Sequence, residues 1–273
     1  AQADLKNALE MNDNLQIAPF ICIDNLDMEE SVAMGSVGHR SHMFHGTWGY
    51  AHIPHKSLLD TLDLTQLTLL SFHESLAKFK TMPLELHMVL PNREAEDSYK
   101  LSWKSQIARV LKRYIARPKK PSESISLDPP RVEQISSEKP IIHMLKLMEE
   151  SDNSAEGMGQ VLQSIQQQSG LTADEFFGRL QPMDGDLGTC QNFHSLRALR
   201  IPNKAPHENL NNVFFQLGAS HTLWNIAQKI YLTHFGDHKS STDLGAWRTL
   251  LTLGISPEKA LQKKDFTLML QYI

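Results

Sequence analysis

Short apolar runs alternate with helical patterns through the second half of the chain, and that alternation does most to narrow the folds open to it. Residues 180–186 read as a short strand ending in acid and glycine, and 189–199 as a helix with Phe193, Leu196 and Leu199 in register. Residues 213–217 are the next strand, and beyond Gly218 a helix covers roughly 220–235, with 244–273 again helical in pattern. Strands separated by helices pair in parallel, in a sheet covered on both faces. The first half adds an antiparallel edge. Residues 16–23 form an apolar run, with Pro19 near its beginning, that reads as a buried strand stopping at Asp24-Asn25. Residues 43–53 read as a second strand bent at Gly46 or Gly49, and polar 29–41 as a wide hairpin connection. The fold class expected is therefore mixed α/β, one sheet flanked by helices.

Residues 58–116 are helical in pattern, with Leu59, Leu62, Leu67, Leu70, Phe72, Leu76 and Phe79 in spacing and breaks at Pro83 and Pro91. Four prolines within 117–130 make a linker into an extended segment at 125–127. Helices are expected over 3–11, 139–148 and 155–168, the last ending at Gly170. The organisation is thus a first helix and hairpin over 1–57, a helical insertion over 58–120, and the rest of the core over 121–273.

A chain of 273 residues suits one large domain, or a core carrying such an insertion. Its 41% hydrophobic and 21% charged residues exclude collagen-like and wholly disordered classes. Cys22 and Cys190 are the only cysteines, too few for a disulfide scaffold, which favours a reducing, intracellular compartment. No apolar run approaches the roughly 20 residues that span a bilayer, and the first residues lack the pattern of a secretory leader, so no membrane partner is expected.

The net charge of −4 disfavours a free-standing nucleic-acid binder, but the charge is uneven. Residues 103–117 contain no acid and carry Lys104, Arg109, Lys112, Arg113 and Arg117. Ile107, Val110, Leu111, Tyr114 and Ile115 recur at helical spacing and predict a buried stripe. The cations opposite it would then track a phosphate backbone, or simply face solvent.

Asp24 and Asp186 each follow an apolar strand. Strand ends beside helices are where side chains converge in an open sheet. Two carboxylates brought together there need a shared proton or a hard cation, and oxygen ligands favour Mg²⁺ or Mn²⁺ over Zn²⁺. Such ions support phosphodiester cleavage. The alternative is a turn at Asp24-Asn25 and a helix cap at Asp186. Asp184, two residues before Asp186, shares its face on a strand and is either a supporting partner or the true ligand. His221, on the first turn of the helix after the last strand, would carry a proton or orient a ligand, or be a buried structural histidine. His39, His42, His45, His52 and His55 cluster on the hairpin arm without a cysteine pair, and Trp48 and Tyr50 beside them read as packing residues.

Four motifs occur in order: Ile23-Asp24-Asn25-Leu26-Asp27, then His45-Gly46-Thr47-Trp48-Gly49-Tyr50, then Gly185-Asp186-Leu187 followed by Ser195-Leu196-Arg197, and His221-Thr222-Leu223-Trp224 running to Thr233-His234-Phe235-Gly236. From about residue 17 to the end they resemble a fungal domain family of unassigned function, abundant in mobile-element proteins. The layout is similar to an RNase H-like transposase core, in which the first Asp ends the first strand and the second follows the fourth. The resemblance implies a nuclear enzyme of DNA cleavage and strand transfer. Asp24 and Asp186 would be its catalytic metal ligands, His221 a catalytic accessory residue, and Asp184 or Asp27 supporting or alternative ligands. Families of the hAT and Mutator-like type carry Cys-x-x-His there; Gly218-Ala219-Ser220-His221 keeps the His and lacks the Cys. Such cores also use a third acid, usually Glu, from a later helix, and Glu258 is the sole Glu beyond Glu208. Two readings stand side by side: a Mg²⁺- or Mn²⁺-dependent transposase-type core acting on DNA, compatible with a homo-oligomer, and a non-catalytic nucleic-acid- or protein-binding module.

Overall fold

The computed structural model describes residues 5–7, 9, 17–34, 36–38, 40–115, 126–132, 134, 136–201, 203, 205–256 and 267. Strands β1 (Phe20–Glu30) and β2 (His42–Ile53) form an antiparallel hairpin. β3 (Ile141–Met144) pairs antiparallel with β2, β4 (Gln181–Gly185) parallel with β1, and β5 (Val213–Leu217) parallel with β4. The sheet order is β3-β2-β1-β4-β5, which makes the protein mixed α/β as its sequence pattern requires.

Two strands depart from expectation. β1 does not stop at Asp24; it runs on to Glu30, because residues from Asn25 onward keep finding partners on β2, from Asn25 opposite Thr47 to Glu30 opposite His42. Backbone pairing, not side-chain polarity, sets where this strand ends. Residues 139–148 are not a helix. Ile142, Leu145 and Met148 have helical spacing, but the β-branched pair Ile141-Ile142 lies against Ile53 and His52 at the β2 edge. The chain then follows β2 onward: Leu145 N donates to Gly49 O at 2.9 Å and Met148 N to Thr47 O at 2.9 Å. The strand expected near 125–127 is absent at 126 and 127, and Ile125 lies outside the described residues.

Trp48 Nε1 donates to Leu145 O at 2.7 Å and ties this passage to the hairpin. Trp48→Phe removes that donor and is expected to cost about 1 kcal/mol of stability in urea titration; an unchanged midpoint would deny the tether.

The helices are α1 (Lys56–Leu59), α2 (Leu69–Phe79), α3 (Arg93–Tyr114), α4 (Ala155–Ser169), α5 (Ala173–Phe177), α6 (Leu187–Arg200), α7 (Pro206–Asn209), α8 (Ala219–Phe235) and α9 (Ala246–Thr252). The chain divides into two compact units, Ala1–Glu74 with Pro140–Ile273, and Ser75–Lys139. In the first, Ile21, Met183 and Phe215 stand side by side across three strands and pack with Met158, Val161 and Ile165 of α4 and Phe193 of α6. Phe193 is fully buried and stacks on Phe215 at 5.1 Å. Tyr231 and Phe235 of α8 make a smaller core with Trp247 and Leu250 of α9. Of the expected N-terminal helix, 5–7 and 9 are helical and the remainder lies outside the described residues, as does Glu258.

The second unit contains α3, begun by Asn92, whose side chain accepts from Ala95 N at 2.8 Å. Its apolar stripe is not buried: Ile107, Val110, Leu111, Tyr114 and Ile115 are all exposed, Ile107 at 59%. The buried positions are Ser105 and Ala108. Small side chains occupy that face, and their hydroxyls need no outside partner: Ser102 Oγ donates to Ser98 O at 3.0 Å and Ser105 Oγ to Ser102 O at 2.7 Å.

Candidate functional site

Parallel pairing puts Cys22 beside Asp184. Asp24 lies two residues beyond Cys22 on β1, and Asp186 follows the end of β4. Alternation places Cys22 and Asp24 on the face opposite the buried Ile21 and Ile23. Asp24 therefore lies within a strand, and Asp24-Asn25 is no turn. Asp186 is the N-cap of α6, its Oδ1 accepting from Thr189 N at 2.7 Å, so the capping role is real. One oxygen serves the helix; the cap leaves the second uncommitted.

His221 arrives on the first turn of α8, with Nε2 3.5 Å from Asp24 Oδ2. Gly218 N donates to Gly185 O at 2.7 Å, which pins the start of α8 to the end of β4. Asp186, Leu187, His221, Trp224, Asn225 and Gln228 line a cleft of about 280 Å³.

Sequence reasoning missed Asp152. It lies just before α4 and is 1% exposed. Thr189 Oγ1 donates a very short hydrogen bond to its Oδ2, and Asn192 Nδ2 donates to its backbone O at 2.8 Å. Its Oδ1 is buried with no hydrogen-bond partner. Burial pushes the carboxyl above its ordinary range, and the charges of Asp186 and Asp24 push it the same way, against the lowering effect of the Thr189 bond. No strand precedes Asp152, and in Ser151-Asp152-Asn153-Ser154 it resembles ordinary helix-cap chemistry; Ser154 is the actual cap, accepting from Gly157 N at 3.0 Å. The pattern held no signal for it.

Asp184 is half-buried, with Oδ1 enclosed and unpartnered. Burial and then the hydrogen bond to Asp184 push the Cys22 thiol up to about 12, while the bond to Cys22 and burial push Tyr50 up to about 12. Both shifts favour the neutral side chain over the thiolate or phenolate. Cys190, buried in α6, is likewise raised by burial and by Asp186. Asp27 does not join the acids. It falls on the opposite face of β1 from Asp24, about 10 Å along the strand. Its carboxylate meets His45 Nδ1 at 2.6 Å and accepts from Asn25 Nδ2 at 3.0 Å. His42 similarly meets Glu30 at 3.0 Å, and His39 lies outside the described residues.

Among the described residues none of Asp24, Asp152, Asp184 and Asp186 pairs with Lys or Arg, and no three His, Cys, Asp or Glu side chains converge to hold a metal by themselves. Lys104, Lys112 and Arg113 are exposed on α3. Arg109 is engaged, donating from Nε to Leu127 O at 2.6 Å, with Nη2 3.9 Å from Asp128. Arg117 lies outside the described residues. These cations belong to the second unit and the acids to the first.

No described helix is long and apolar enough to cross a membrane. No curated protein and no solved structure matches the chain. A family of unknown function matches residues 78–273, a span that holds Asp152, Asp184, Asp186, His221 and α3 but not Asp24 or the first hairpin. With most of its length so matched, the chain belongs to that family, DUF6589.

Proposed function

We propose that the acidic face is a divalent-metal-dependent centre for DNA strand cleavage or transfer, of RNase H-like transposase type. The strand order supports this reading, since it seats β1 at the centre of the sheet with β4, which leads into the second acid, next to it. One observation carries it: among the described residues neither Asp24 nor Asp186 pairs with a Lys or Arg, and the charges of both reach the buried Asp152. Carboxylates gathered near one another in this way favour a bound cation.

The residues fit Mg²⁺ or Mn²⁺ rather than a metal caged wholly by protein. Magnesium commonly takes one or two carboxylates and completes its shell with water and substrate phosphate, and the carboxyl of Asp152 lies within range of both charges. Asp24 and Asp186 would hold the ion, which when bound polarises phosphoryl oxygens and activates an attacking water or 3′ hydroxyl. The protein's own part is positional. His221 Nε2, beside Asp24, can accept or return a proton at the reacting oxygen. Asp186 is held by the α6 N-terminus. A transposase-type activity would place the protein in the nucleus.

Incubation with supercoiled plasmid in Mn²⁺ tests this: nicked or joined products are expected, and their absence at every protein concentration sinks the reading. The engagement of Asp186 as a helix cap favours a second reading, a DNA-binding module without chemistry. That module would bind through Lys104, Lys112 and Arg113. Replacing one of these with Ala is expected to reduce the slope of log K against log[salt] by about 0.9, with no effect from the aspartates. Filter binding across a salt series measures both.

A further inference from the structure

His221, Trp224, Asn225 and Gln228 are spaced i, i+3, i+4 and i+7 along α8, so they form one stripe on the helix. The helix presents this stripe rigidly, because Ala227, Tyr231 and Phe235 are buried, the last two packed with Trp247 and Leu250. Trp247 is itself held, its Nε1 donating to Asp243 Oδ1 at 2.9 Å. The stripe forms one wall of the 280 Å³ cleft, and Asp186 and Leu187 supply the other.

The lining chemistry is selective. Next to Asp186 and His221 stand an aromatic ring, two carboxamides and an exposed leucine, with no Lys or Arg among the described lining residues. A phosphate in this cleft would meet the negative charge of Asp186. A flat, uncharged group with mixed donors and acceptors fits. Each carboxamide offers a donor and an acceptor at once, the pairing that base edges require, and an aromatic ring accepts any base on its face. The volume lies near the lower end of the roughly 300–1,000 Å³ typical of small-ligand pockets, suited to one such group rather than a folded polymer.

We propose that this cleft takes a single unstacked nucleobase of the DNA strand. Trp224 supplies its stacking surface, and Asn225 and Gln228 read its edge. The inference rests on the acidic face acting on DNA, and it adds a positioning subsite. The cleft would fix which phosphate is presented, and it gives α8 a specificity role separate from His221.

The test is binding, without metal, of a short single-stranded oligodeoxynucleotide and of an all-abasic strand with the same number of phosphates, by fluorescence anisotropy in EDTA. The base-bearing strand should bind wild type about tenfold more tightly, as one stacked base contributes. Trp224→Leu should bring the ratio close to one. Asn225→Ala and Gln228→Ala, at exposed or half-buried positions that leave the fold intact, should change the order of preference among the four bases. Free thymidine or adenosine should compete and deoxyribose should not. Equal affinity for both strands, no binding of either, or equal competition by deoxyribose overturns the proposal. If plasmid cleavage fails while that ratio persists, the nuclease reading falls and the base site stands; cleavage with no base dependence is the reverse.

Discussion

Replacing Asp24 and Asp186 together by asparagine is expected to abolish the stabilisation that calcium or manganese confers on the wild type, and to slow plasmid nicking by about a thousandfold or more. The substitution removes charge and little else. Asparagine caps helices as well as aspartate does, so Thr189 N keeps its partner and α6 its first turn. What disappears is the negative charge of the β1 carboxylate and of the α6 cap carboxylate, and metal-derived charge stabilisation worth several kcal/mol corresponds to three or more powers of ten in rate. Thermal melting with and without the ion, alongside the nicking rate, reads both effects. An identical melting shift in variant and wild type, or an unaltered rate, would remove the metal centre. Asp186→Ala is the informative contrast, since it also discards the cap and should cost about 1 kcal/mol of stability whatever the metal does.

Asp152→Asn should raise the melting temperature in metal-free buffer at neutral pH. The wild-type carboxyl is buried, lacks a partner at Oδ1, and has Asp186 and Asp24 in range, so its ionised form is disfavoured in the folded protein. Asparagine can still accept from Thr189 Oγ1 and carries no charge. Relief of an unsatisfied buried charged group is on the order of 2 kcal/mol, which is several degrees for a chain of this size. The pH dependence has a definite sign. A carboxyl raised on folding binds more protons in the native than in the unfolded state, so its favourable contribution is complete below the unfolded value of 3.8 and fades as pH rises through the folded value. The variant's advantage is therefore largest at neutral pH and shrinks toward pH 4. Divalent metal should narrow it as well, by neutralising the wild-type cluster. A variant less stable than wild type at pH 7 would mean that Asp152 is held by contacts its burial does not reveal.

The parallel half of the sheet was legible because each of its strands is short, apolar and bounded by acid or glycine: 181–185 and 213–217 lie where the pattern puts them. The helices at 155–169 and 219–235 were legible for the matching reason, their apolar residues recurring at one helical spacing, with Gly170 left-handed after the first. The third strand was not. Ile142, Leu145 and Met148 satisfy a helix by spacing, and only the open edge of β2 made extension the better solution. The α3 stripe failed in the opposite sense, since its periodicity is genuine while the buried face is built from Ser105 and Ala108.

At the site, Asp24, Asp186 and His221 were marked by chain position alone, as polar groups next to strand and helix boundaries. Asp152 and the displacement of Asp27 to the other face were not, because neither depends on local pattern. Sequence by itself determined the first hairpin and the two later parallel strands, and the kinds of oxygen and imidazole groups available near the sheet's centre, since periodicity and turn chemistry act over a few residues. Tertiary structure alone decided which of those groups meet. Packing of the loop before α4 against Thr189 buried Asp152 within reach of the charges of both Asp24 and Asp186. Asp24 is more than a hundred positions from both other acids, and nothing short of the closed backbone specifies where it meets them.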